Sequence, residues 1–586
     1  MPYTTSTAFF EAITDAGITH CFVNLGSDHP SIMDAIVRGQ RNAKAKFPRI
    51  ITCPSEATMS MADGCARVTG QPQCVIVHVD VGTQALGAAM HNASVGRAPV
   101  LIFAGLSPFT LEGEMRGSRT EFIHWLQDVP DQRAIVSQYC RYTAEIRTGV
   151  NVKQMVARAL QFATSDPEGP VYLCGAREVM EAELRPYTLR RELWRPVEMG
   201  GMPAHAAEEV ASALAGAATP LLITGYSGRH RLVPAALVRL ADTVPALRVL
   251  DTAGSEMSFP GDHPAWLGLK QGAPEALVAE ADVIVVLHCD VPWIPTLSRP
   301  KADARVFHID VDPLKQGMPL FYIDAEARYR ADALTSVRQI TAELQPGRAA
   351  AAALAARNLD ADREARRAAY AAKIEAISAA ARPRDDGSFG AGHLGSVLRT
   401  VCPEDTVWAV EAVTNTGHIH NNIRPTRPGS WLNCGGGGLG WSGGAALGIK
   451  LAVDARAGGK GPFVCQVVGD GTYLFSFPGS VYWISRRYGI PVLTIVLNNK
   501  GWNAPRASYT LIHPDGEGTR VGNEELNISF APVPDYGGIA RAAGAGDIHA
   551  LKVEDSSELE AVLEDAVARV QAGMTAVVDC RIVQGG

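Results

Sequence analysis

The chain has 586 residues, of which 47% are hydrophobic and 20% charged. This length allows several domains, and the balance of apolar and charged residues excludes a disordered chain. The 61 acidic side chains exceed the 54 basic ones, which gives a net charge of −7. Because no basic surplus is available to neutralise phosphates, the composition argues against nucleic acid as a partner.

The beginning of the chain lacks a basic leader region and carries Glu11 and Asp15, which argues against a signal peptide. The apolar runs have the length of strands and fall short of the roughly 18 residues of a membrane helix. The eleven cysteines are scattered without C-x-x-C or zinc-type spacing, so we expect them to be reduced. These features predict a cytoplasmic protein without a membrane partner.

Short apolar runs rich in β-branched residues alternate with helical patterns along the chain. Examples are CVIVHVDV at 74–81, DVIVVL at 282–287 and PVLTIVLNN at 491–499. Such runs are typical of strands that helices cover on both faces. The sequence therefore predicts an α/β protein with three doubly wound parallel-sheet domains.

Two connecting stretches divide the chain. One is charged and proline-rich and follows Cys174, and the other, at about 333–382, is rich in Ala, Arg and Glu and has a helical pattern. The predicted parts are a first domain at 1–185, a central α/β domain at 200–335, a helical linker at 336–384 and a third domain at 385–586. VDVGT at 79–83 and VVGDGT at 467–472 occupy similar settings, so the first and third domains are predicted to resemble each other.

The segment VVGDGTYLF and the strand after it carry the clearest chemical pattern. An apolar run ends in Gly469, Asp470 and Gly471, and the next one reaches Asn498 after 26 intervening residues. Since parallel strands end at the same edge of a sheet, Asp470 and Asn498 are expected to converge on one cation. Carboxylate and amide oxygens suit Mg²⁺, and the glycines let N–H groups approach a diphosphate. A tight turn followed by an asparagine-rich loop is the alternative.

This pattern resembles the thiamine diphosphate enzymes, in particular the acetolactate synthase-like branch of 2-keto acid carboligases, decarboxylases, oxidases and lyases. The resemblance covers essentially the whole chain, with a pyrimidine-binding domain first and a diphosphate-binding domain last. It implies that Asp470, Asn498 and the backbone carbonyl of Lys500 hold Mg²⁺. The cofactor contacts that it implies are Glu56, Gly82, Gly437, Leu439, Gly469, Asp470, Gly471, Thr472 and Asn498.

The family also requires a glutamate that opens a helix in the first domain, and ITCPSEATMSMADG supplies Glu56. A carboxylate that bonds to N1′ of the aminopyrimidine favours the imino tautomer, whose 4′ nitrogen takes the proton from C2 of the thiazolium. This resemblance implies that Glu56 is catalytic. Without it, Glu56 would be a charge that the start of a helix favours.

The stretch WLNCGGGGLGWSGG places Gly435, Gly437 and Gly440 at G-x-G-x-x-G spacing, which also fits a dinucleotide-binding loop. No clear buried strand precedes it, so we favour the glycine-rich turn of the family. In that turn, Leu439 would hold the cofactor in a bent form that brings the 4′ nitrogen to C2. A simple core leucine is the alternative.

Candidate residues on the substrate side lie in two segments of the first domain. Asp28 and His29 lie in the first loop of the predicted pyrimidine-binding domain, and resemblance to benzaldehyde lyase-like members implies that His29 shuttles protons. Gln127 matches the glutamine that faces the cofactor in acetolactate synthases, with His124 as its neighbour. A loop or capping role for His29 and helical packing for Gln127 are the alternatives.

After the metal loop the chain reads GWNAPRASYTLIHPD, which departs from the acetolactate synthases. Trp502 is predicted to line an apolar acyl pocket, and Asn503 and Arg506 to meet a carboxylate or carbonyl. The polar stretch up to about Asn527 is either a closing loop or an ordinary surface excursion.

These patterns together predict a thiamine diphosphate- and Mg²⁺-dependent lyase or transferase that forms or cleaves a C–C bond of a 2-keto acid or acyloin. The resemblance implies a homodimer or homotetramer with sites between subunits. Decarboxylation of a 2-keto acid is the near alternative, and oxidation through FAD is possible but not favoured, because the central domain lacks a clear flavin signature. A non-catalytic homologue would be expected to lack Glu56 or Asp470, and a nicotinamide enzyme would use the glycine-rich loop.

Overall fold

The computed structural model describes residues 2–42, 46–271 and 274–583. Its strands form three six-stranded sheets. The first sheet contains β1 (His20–Asn24), β2 (Arg49–Thr52), β3 (Gln73–Val77), β4 (Val100–Leu106), β5 (Tyr142–Ile146) and β6 (Val171–Ala176). The central sheet contains β7 (Pro220–Thr224), β8 (Arg248–Asp251), β9 (Trp266–Leu269), β10 (Val283–Leu287), β11 (Arg305–Asp310) and β12 (Ala327–Arg330). The third sheet contains β13 (Val407–Glu411), β14 (Trp431–Asn433), β15 (Val464–Gly469), β16 (Leu493–Asn498), β17 (His549–Val553) and β18 (Ala576–Arg581).

The first and third sheets share one topology. Their strand orders are β2-β1-β3-β4-β6-β5 and β14-β13-β15-β16-β18-β17. If the strands of each sheet are numbered from one, both orders read 2-1-3-4-6-5. The central sheet has the order β12-β11-β10-β7-β8-β9, which reverses direction between β7 and β10. The paired strands run parallel, as in β15 with β16 and β10 with β7. The prediction of three doubly wound parallel-sheet domains, the first and third alike, is confirmed.

Helices connect the strands and cover both faces of each sheet. They are α1 (Thr5–Asp15), α2 (Pro30–Arg41), α3 (Ser55–Thr69), α4 (Val81–Gln84), α5 (Gly87–Val95), α6 (Ile123–Leu126), α7 (Val152–Thr164), α8 (Arg177–Glu181), α9 (Ala204–Gly216), α10 (Val233–Thr243), α11 (Ala276–Glu280), α12 (Ala333–Glu343), α13 (Ala349–Ala355), α14 (Leu359–Ala380), α15 (Ala391–Val401), α16 (Thr416–Ile423), α17 (Trp441–Ala457), α18 (Asp470–Phe475), α19 (Pro478–Tyr488), α20 (Asn503–Ile512), α21 (Tyr536–Ala543) and α22 (Ser556–Gln571). Every residue of β3, β10 and β16 is buried, as expected for parallel strands between helix layers. All eleven cysteines are unpaired, and nine of them are buried.

Helices α3 and α17 join the first and third domains by close backbone contact. A Cβ added at Gly64 would lie 2.5 Å from the carbonyl oxygen of Ala445, and one at Gly448 would collide with the carbonyl of Met61. Only glycine permits this approach. The contact holds the helix that carries Glu56 against the helix that follows the glycine-rich loop.

A buried arginine ties parts of all three domains together. The Arg67 guanidinium, on α3, donates to Glu256 Oε1 at 2.6 Å and to the carbonyl oxygen of Asn433 at 2.8 Å. Burial alone would raise the pKa of Glu256, but Arg67 and Arg229 hold it below its ordinary value. The ion pair therefore fixes α3, the central domain and the strand that leads into the glycine-rich loop relative to one another.

The stretch after the central sheet is helical. It contains α13 and the 22-residue α14, whose Tyr370, Ile374 and Ile377 pack against the core of the central domain. Across the ranges that the structure describes, no helix combines the length and apolar character needed to cross a membrane.

Candidate active site

The predicted diphosphate and metal region lies at the carboxyl edge of the third sheet, where β15 and β16 are neighbours. Asp470 begins α18 and is only 3% exposed. Its Oδ1 accepts from the N–H of Gly471 at 2.8 Å, and its Oδ2 accepts from the N–H groups of Asn499 at 3.1 Å and Gly501 at 3.2 Å. Burial raises the pKa of Asp470 to about 6 although these N–H groups oppose the rise.

The Asn499 side chain completes a compact polar cluster with Asp470. One of its terminal atoms lies 2.8 Å from the carbonyl oxygen of Gly501 and 3.2 Å from Asp470 Oδ2. With nitrogen at this place, the amide donates to both oxygens and the cluster satisfies itself. With oxygen there, three oxygens face one another, which is a donor set that Mg²⁺ prefers. One rotation of this amide converts the cluster between the two states, so the residues present fit a magnesium ion.

Asn498, which we predicted as a metal ligand, does not join this cluster. Its Nδ2 donates to Asp579 Oδ1 at 2.8 Å, and its Oδ1 accepts from Arg581 at 3.1 Å. Since successive side chains along a strand point to opposite sides, only one of two adjacent asparagines faces Asp470. The amide that reaches Asp470 is that of Asn499.

The backbone carbonyl of Lys500, the other predicted metal ligand, also has its hydrogen-bond partner outside this cluster. This carbonyl accepts from the N–H of Phe530 at 2.9 Å, and the residue has a φ of 65°. This turn directs the next carbonyl, that of Gly501, towards the side chain of Asn499. Asn499 and Gly501 therefore replace Asn498 and Lys500 in the ligand set that we propose below.

The loop after the metal region packs around Trp502. This ring packs edge-on against Phe530 at 4.7 Å and Phe475 at 5.8 Å between ring centroids. A Cβ at Gly471 would collide with the Trp502 ring, so this position requires glycine. Together with Gly469 at the N-cap and the buried Thr472, Gly471 forms the start of α18, and the start of a helix favours an anion such as a diphosphate.

Asn503 and Arg506, the predicted partners of a carboxylate or carbonyl, have partners within the chain. The Asn503 amide contacts that of Asn499. The Arg506 guanidinium donates to Asn523 Oδ1 at 2.6 Å and to the carbonyl oxygen of Val521 at 2.8 Å. Arg506 thus braces the polar stretch that follows α20, and the carboxylate-binding role predicted for it has no support here.

The glycine-rich loop differs from expectation in one respect, because a short buried strand, β14, leads into it. At its other end, the Glu411 carboxylate accepts from the N–H groups of Gly440 at 3.0 Å, Trp441 at 3.2 Å and Ser442 at 2.7 Å. Burial raises the pKa of Glu411 to about 7. This carboxylate occupies the helix start where a dinucleotide would place its phosphates, which argues against the nicotinamide alternative.

The same loop rests on helix α5 of the first domain. Gly437 donates its N–H to His91 Nε2 at 3.2 Å, and Gly438 donates to Asn92 Oδ1 at 3.0 Å. Leu439 faces a cavity of about 560 Å³ that Gly437 also lines. The loop thus holds Leu439 at the boundary between the third domain and this cavity.

Glu56 is the second residue of α3, at the carboxyl edge of the first sheet. Its side chain is half-buried, and burial raises its pKa to about 7. Four residues earlier, the N–H of Thr52 donates to the hydroxyl of Tyr488 at 2.8 Å. Tyr488 is the last residue of α19, which leads into β16. The strand before Glu56 is therefore anchored at the amino ends of the strands of the third sheet, whereas Asp470 lies at their carboxyl ends.

Asp28 and His29 are interior residues rather than an open substrate surface. His29 is 1% exposed, its Nδ1 accepts from the N–H of Gly26 at 3.2 Å, and its Nε2 lies 3.3 Å from Asp28 Oδ2. Asp28 Oδ2 also accepts from the N–H of Val79 at 3.0 Å. Burial lowers the pKa of His29. The pair braces the first loop, and the structure does not support the substrate and proton-transfer roles predicted for it.

Two residues that the sequence did not single out, Ser27 and His78, lie near that pair. Ser27 and His78 are half-buried, and His78 packs beside Gly26 and Gly82, where a Cβ at Gly82 would lie 3.0 Å from its ring. His124 is buried, its Nε2 lies 3.3 Å from Ser27 Oγ, and burial lowers its pKa. Ser27 and His78 come shortly after the ends of β1 and β3. A polar residue just after a buried strand is the same sequence signal that identified Asp470.

Gln127 follows the short helix α6 and is half-buried. The neighbouring side chains are strongly exposed although they are apolar: Phe122 is 78% exposed, Trp125 51% and Leu126 64%. An exposed apolar stretch of this kind is typical of an interaction surface. Gln127 therefore lies on a segment suited to contact with another surface.

The comparisons with known proteins agree with this geometry. Residues 3–135 match the N-terminal TPP binding domain of thiamine pyrophosphate enzymes, residues 207–327 match the central domain, and residues 412–580 match the C-terminal TPP binding domain. The chain belongs to the thiamine diphosphate (thiamine pyrophosphate) enzyme family, as its motifs predicted.

Similar proteins include a decarboxylase and a synthase. Benzoylformate decarboxylase of Pseudomonas aeruginosa is 24% identical over 96% of this chain and 97% of its own length. Acetolactate synthase of Mycobacterium bovis is 23% identical over 87% of this chain and 78% of its own length. The structure of a 4-hydroxybenzoylformate decarboxylase of Rhodococcus jostii RHA1 has a TM-score of 0.76, with 20% identity and 99% coverage of both chains. This likeness establishes a shared fold.

Proposed function

We propose that this protein uses thiamine diphosphate and Mg²⁺ to form or cleave the C–C bond beside the carbonyl of a 2-keto acid or acyloin. The observation that carries the proposal is the cluster of Asp470, Asn499 and the Gly501 carbonyl at the edge of the third sheet. It offers oxygens to one cation beside the start of α18, which suits a metal ion that bridges to a diphosphate. Bound thiamine diphosphate would supply an electron sink for the carbanion that C–C cleavage generates.

Glu56 is the residue that we assign to activation. Its half-buried carboxyl, with a pKa of about 7, is able to hold a proton at N1′ of the aminopyrimidine near neutral pH. Leu439, held by the glycine-rich loop, would support the bent form of the cofactor. Both residues keep the roles that the family resemblance implies.

The substrate end is assigned to Ser27 and His78, with His124 behind Ser27. A hydroxyl and two imidazoles at one sheet edge are suited to bind a carboxylate or carbonyl and to move a proton. Gln127 and Trp502 stay candidate pocket residues on the first and third domains, respectively.

Carboligation or C–C lysis is our preferred reaction class, and 2-keto acid decarboxylation has equal support from the relatives, which include a decarboxylase and a synthase. A non-catalytic role is disfavoured because both Glu56 and Asp470 are present.

We further propose that the active unit is a homodimer or a homotetramer. The strand before Glu56 is anchored to Tyr488 at one edge of the third sheet, and Asp470 lies at the other edge. The intervening strand β15 has six residues, which corresponds to about 20 Å. A single cofactor that touches Glu56 and Asp470 would therefore take them from two chains.

The test is a panel of 2-keto acids incubated with the protein, thiamine diphosphate and Mg²⁺, with and without an aldehyde acceptor. We expect release of CO₂, and carbon NMR of the products separates acyloins, which indicate carboligation, from free aldehydes, which indicate decarboxylation. Acyloins supplied as substrates test cleavage. Asp470→Ala serves as the matched inactive control, because it removes the charged metal ligand. Absence of turnover on every 2-keto acid and acyloin, although the cofactor binds, would contradict the proposal.

A further inference from the structure

The cavity that Leu439 faces lies between the central domain and the glycine-rich loop. Its floor includes Leu439 and Gly437 of the third domain, and its volume is about 560 Å³, within the usual range for a small-molecule site. Much of one wall comes from the stretch after β10, which contributes Val291, Trp293 and Ile294. The chamber is thus largely apolar and continuous with the residue assigned to bend the cofactor.

In a sheet of this topology, a nucleotide would bind where the strand order reverses, which here is between β7 and β10. The N–H groups at that point are not available to phosphates. Gly225 and Tyr226 both donate to the carbonyl oxygen of His288, at 3.2 Å and 3.0 Å. The turn at His288, with a φ of 45°, directs this carbonyl inward. The chain itself therefore satisfies the amides that would cradle a diphosphate.

The amides at the end of the next strand, β8, are satisfied in the same way. Ala253 and Gly254 donate to Asp251 Oδ1 at 3.0 Å and 2.7 Å. A carboxylate thus sits where these two N–H groups converge. A phosphate placed there would lose its donors and meet a buried acid.

The cations near the chamber are paired as well. The Arg97 guanidinium stacks on the ring of Tyr226 at 3.7 Å and donates to Asp290 Oδ1 at 2.9 Å. Lys315 Nζ lies 2.7 Å from both Asp290 Oδ1 and Asp310 Oδ2. Neither cation is left to attract an anionic ligand into the chamber.

The charges that line the chamber are mainly acidic. Among the described lining residues, Lys270 is the one cation, and its Nζ lies 4.0 Å from Glu275. Asp290 and Glu411 also line the cavity. An anionic group such as a nucleotide phosphate would find no unpaired cation here, whereas an uncharged apolar group would bury its surface at little electrostatic cost.

We infer that this chamber binds the uncharged, apolar tail of the substrate, a long-chain or arylalkyl group of a 2-keto acid or acyloin, and that it does not bind a flavin or other nucleotide. The inference rests on the proposed function, because Leu439 connects the chamber to the assigned reaction centre. The carboxylate end of such a substrate would stay outside the chamber, since no cation there is free to bind it. The preferred substrates are therefore 2-keto acids or acyloins with a tail too large for the cofactor pocket alone.

The test uses a substitution that fills the chamber, made at a lining residue where a larger side chain can be accommodated. Val291 lines the cavity and its side chain is 50% exposed, so Val291→Trp adds bulk without disturbing the core. Val197→Trp is the matched control, because Val197 is 71% exposed and lies in the connection between domains. With 6-phenyl-2-oxohexanoate we expect kcat/KM to fall at least tenfold in Val291→Trp and to stay within twofold in the control. With 2-oxobutanoate, both variants should match the unmodified protein within twofold.

A second measurement does not depend on turnover. Calorimetric titration with 6-phenylhexanamide, an uncharged probe of the tail, should show binding that Val291→Trp abolishes, and titration with ADP or FAD should show none. Loss of kcat/KM on both substrates alike, an unchanged kcat/KM on the long one, or binding of ADP or FAD that Val291→Trp abolishes would overturn the inference. Binding of the amide without turnover of any 2-keto acid or acyloin would instead contradict the proposed function and leave the chamber assignment standing.

Discussion

Asn498 and Asn499 are adjacent and chemically identical, but their surroundings assign them different tasks. Asn499 meets Asp470 and Gly501, whereas Asn498 bonds to Asp579. We expect Asn499→Ala to raise the Mg²⁺ concentration needed for cofactor binding by about tenfold or more, because an oxygen donor is lost. Titration of Mg²⁺ at fixed thiamine diphosphate, followed by calorimetry, measures this change.

Asn498→Ala is the matched control for that experiment. It removes a hydrogen bond from the buried carboxylate of Asp579, so its main effect should be a lower melting temperature with a near-normal Mg²⁺ requirement. The reverse pattern, with the Mg²⁺ requirement raised by Asn498→Ala alone, would restore the ligand set that the sequence motif first indicated.

Glu56 provides a second prediction at this scale. Glu56→Gln keeps the shape of the side chain but removes the group that exchanges a proton at N1′. We expect exchange of the C2 proton of bound cofactor to slow by about 10²–10⁴-fold. Proton NMR after acid quenching in D₂O measures this rate, and calorimetry checks that the cofactor still binds. Exchange at the native rate in a cofactor-loaded variant would remove Glu56 from the assigned role.

At the scale of elements, Glu411 controls the start of α17. Its carboxylate accepts from three successive N–H groups, those of Gly440, Trp441 and Ser442. In Glu411→Gln the amide nitrogen cannot accept, so at least one of these donors loses its partner. We expect the free energy of unfolding to fall by ~1–3 kcal/mol, which a lower melting temperature would report.

The pH dependence of that effect has a definite sign. Burial raises the pKa of Glu411 from 4.5 to about 7, so the folded protein binds this proton more tightly than the unfolded chain does. The stability that Glu411 contributes is complete below about pH 4.5 and declines as the pH rises towards about 7. Glutamine does not titrate, so the destabilisation by Glu411→Gln should shrink over this range in the cofactor-free protein. Melting curves of both proteins at pH 5 and pH 7.5 test this, and a destabilisation that grows with pH would contradict it.

The strands were predictable because parallel strands under two helix layers must be apolar throughout, which makes runs such as DVIVVL easy to recognise. The position of Asp470 followed from the same logic, since it comes directly after such a run. The choice between Asn498 and Asn499 could not be predicted in this way, because it depends on where β16 ends and on which side of the sheet each asparagine faces. The burial of His29 and the use of Arg506 as a brace depend on long-range packing that one local segment does not encode.

At the scale of the whole molecule, the two ends of the proposed site lie on different domains. Glu56 follows a strand anchored at Tyr488, and Asp470 lies at the other edge of the third sheet. Exposed apolar side chains surround Gln127, and we propose that they contact another subunit. If two chains share each cofactor, dimer formation and cofactor binding must strengthen each other.

Subunit mixing tests this arrangement. Glu56→Gln and Asp470→Ala should each inactivate a dimer of identical chains. In a dimer of one chain of each kind, one site carries both substitutions and the other carries neither, so a mixed dimer should recover about half of the native activity. Differently tagged chains, purified in tandem after exchange, isolate the mixed species, and a mixture of two chains that both carry Glu56→Gln is the control. If verified mixed dimers stay inactive, each site is built within one chain, and Glu56 must then reach the cofactor of its own subunit.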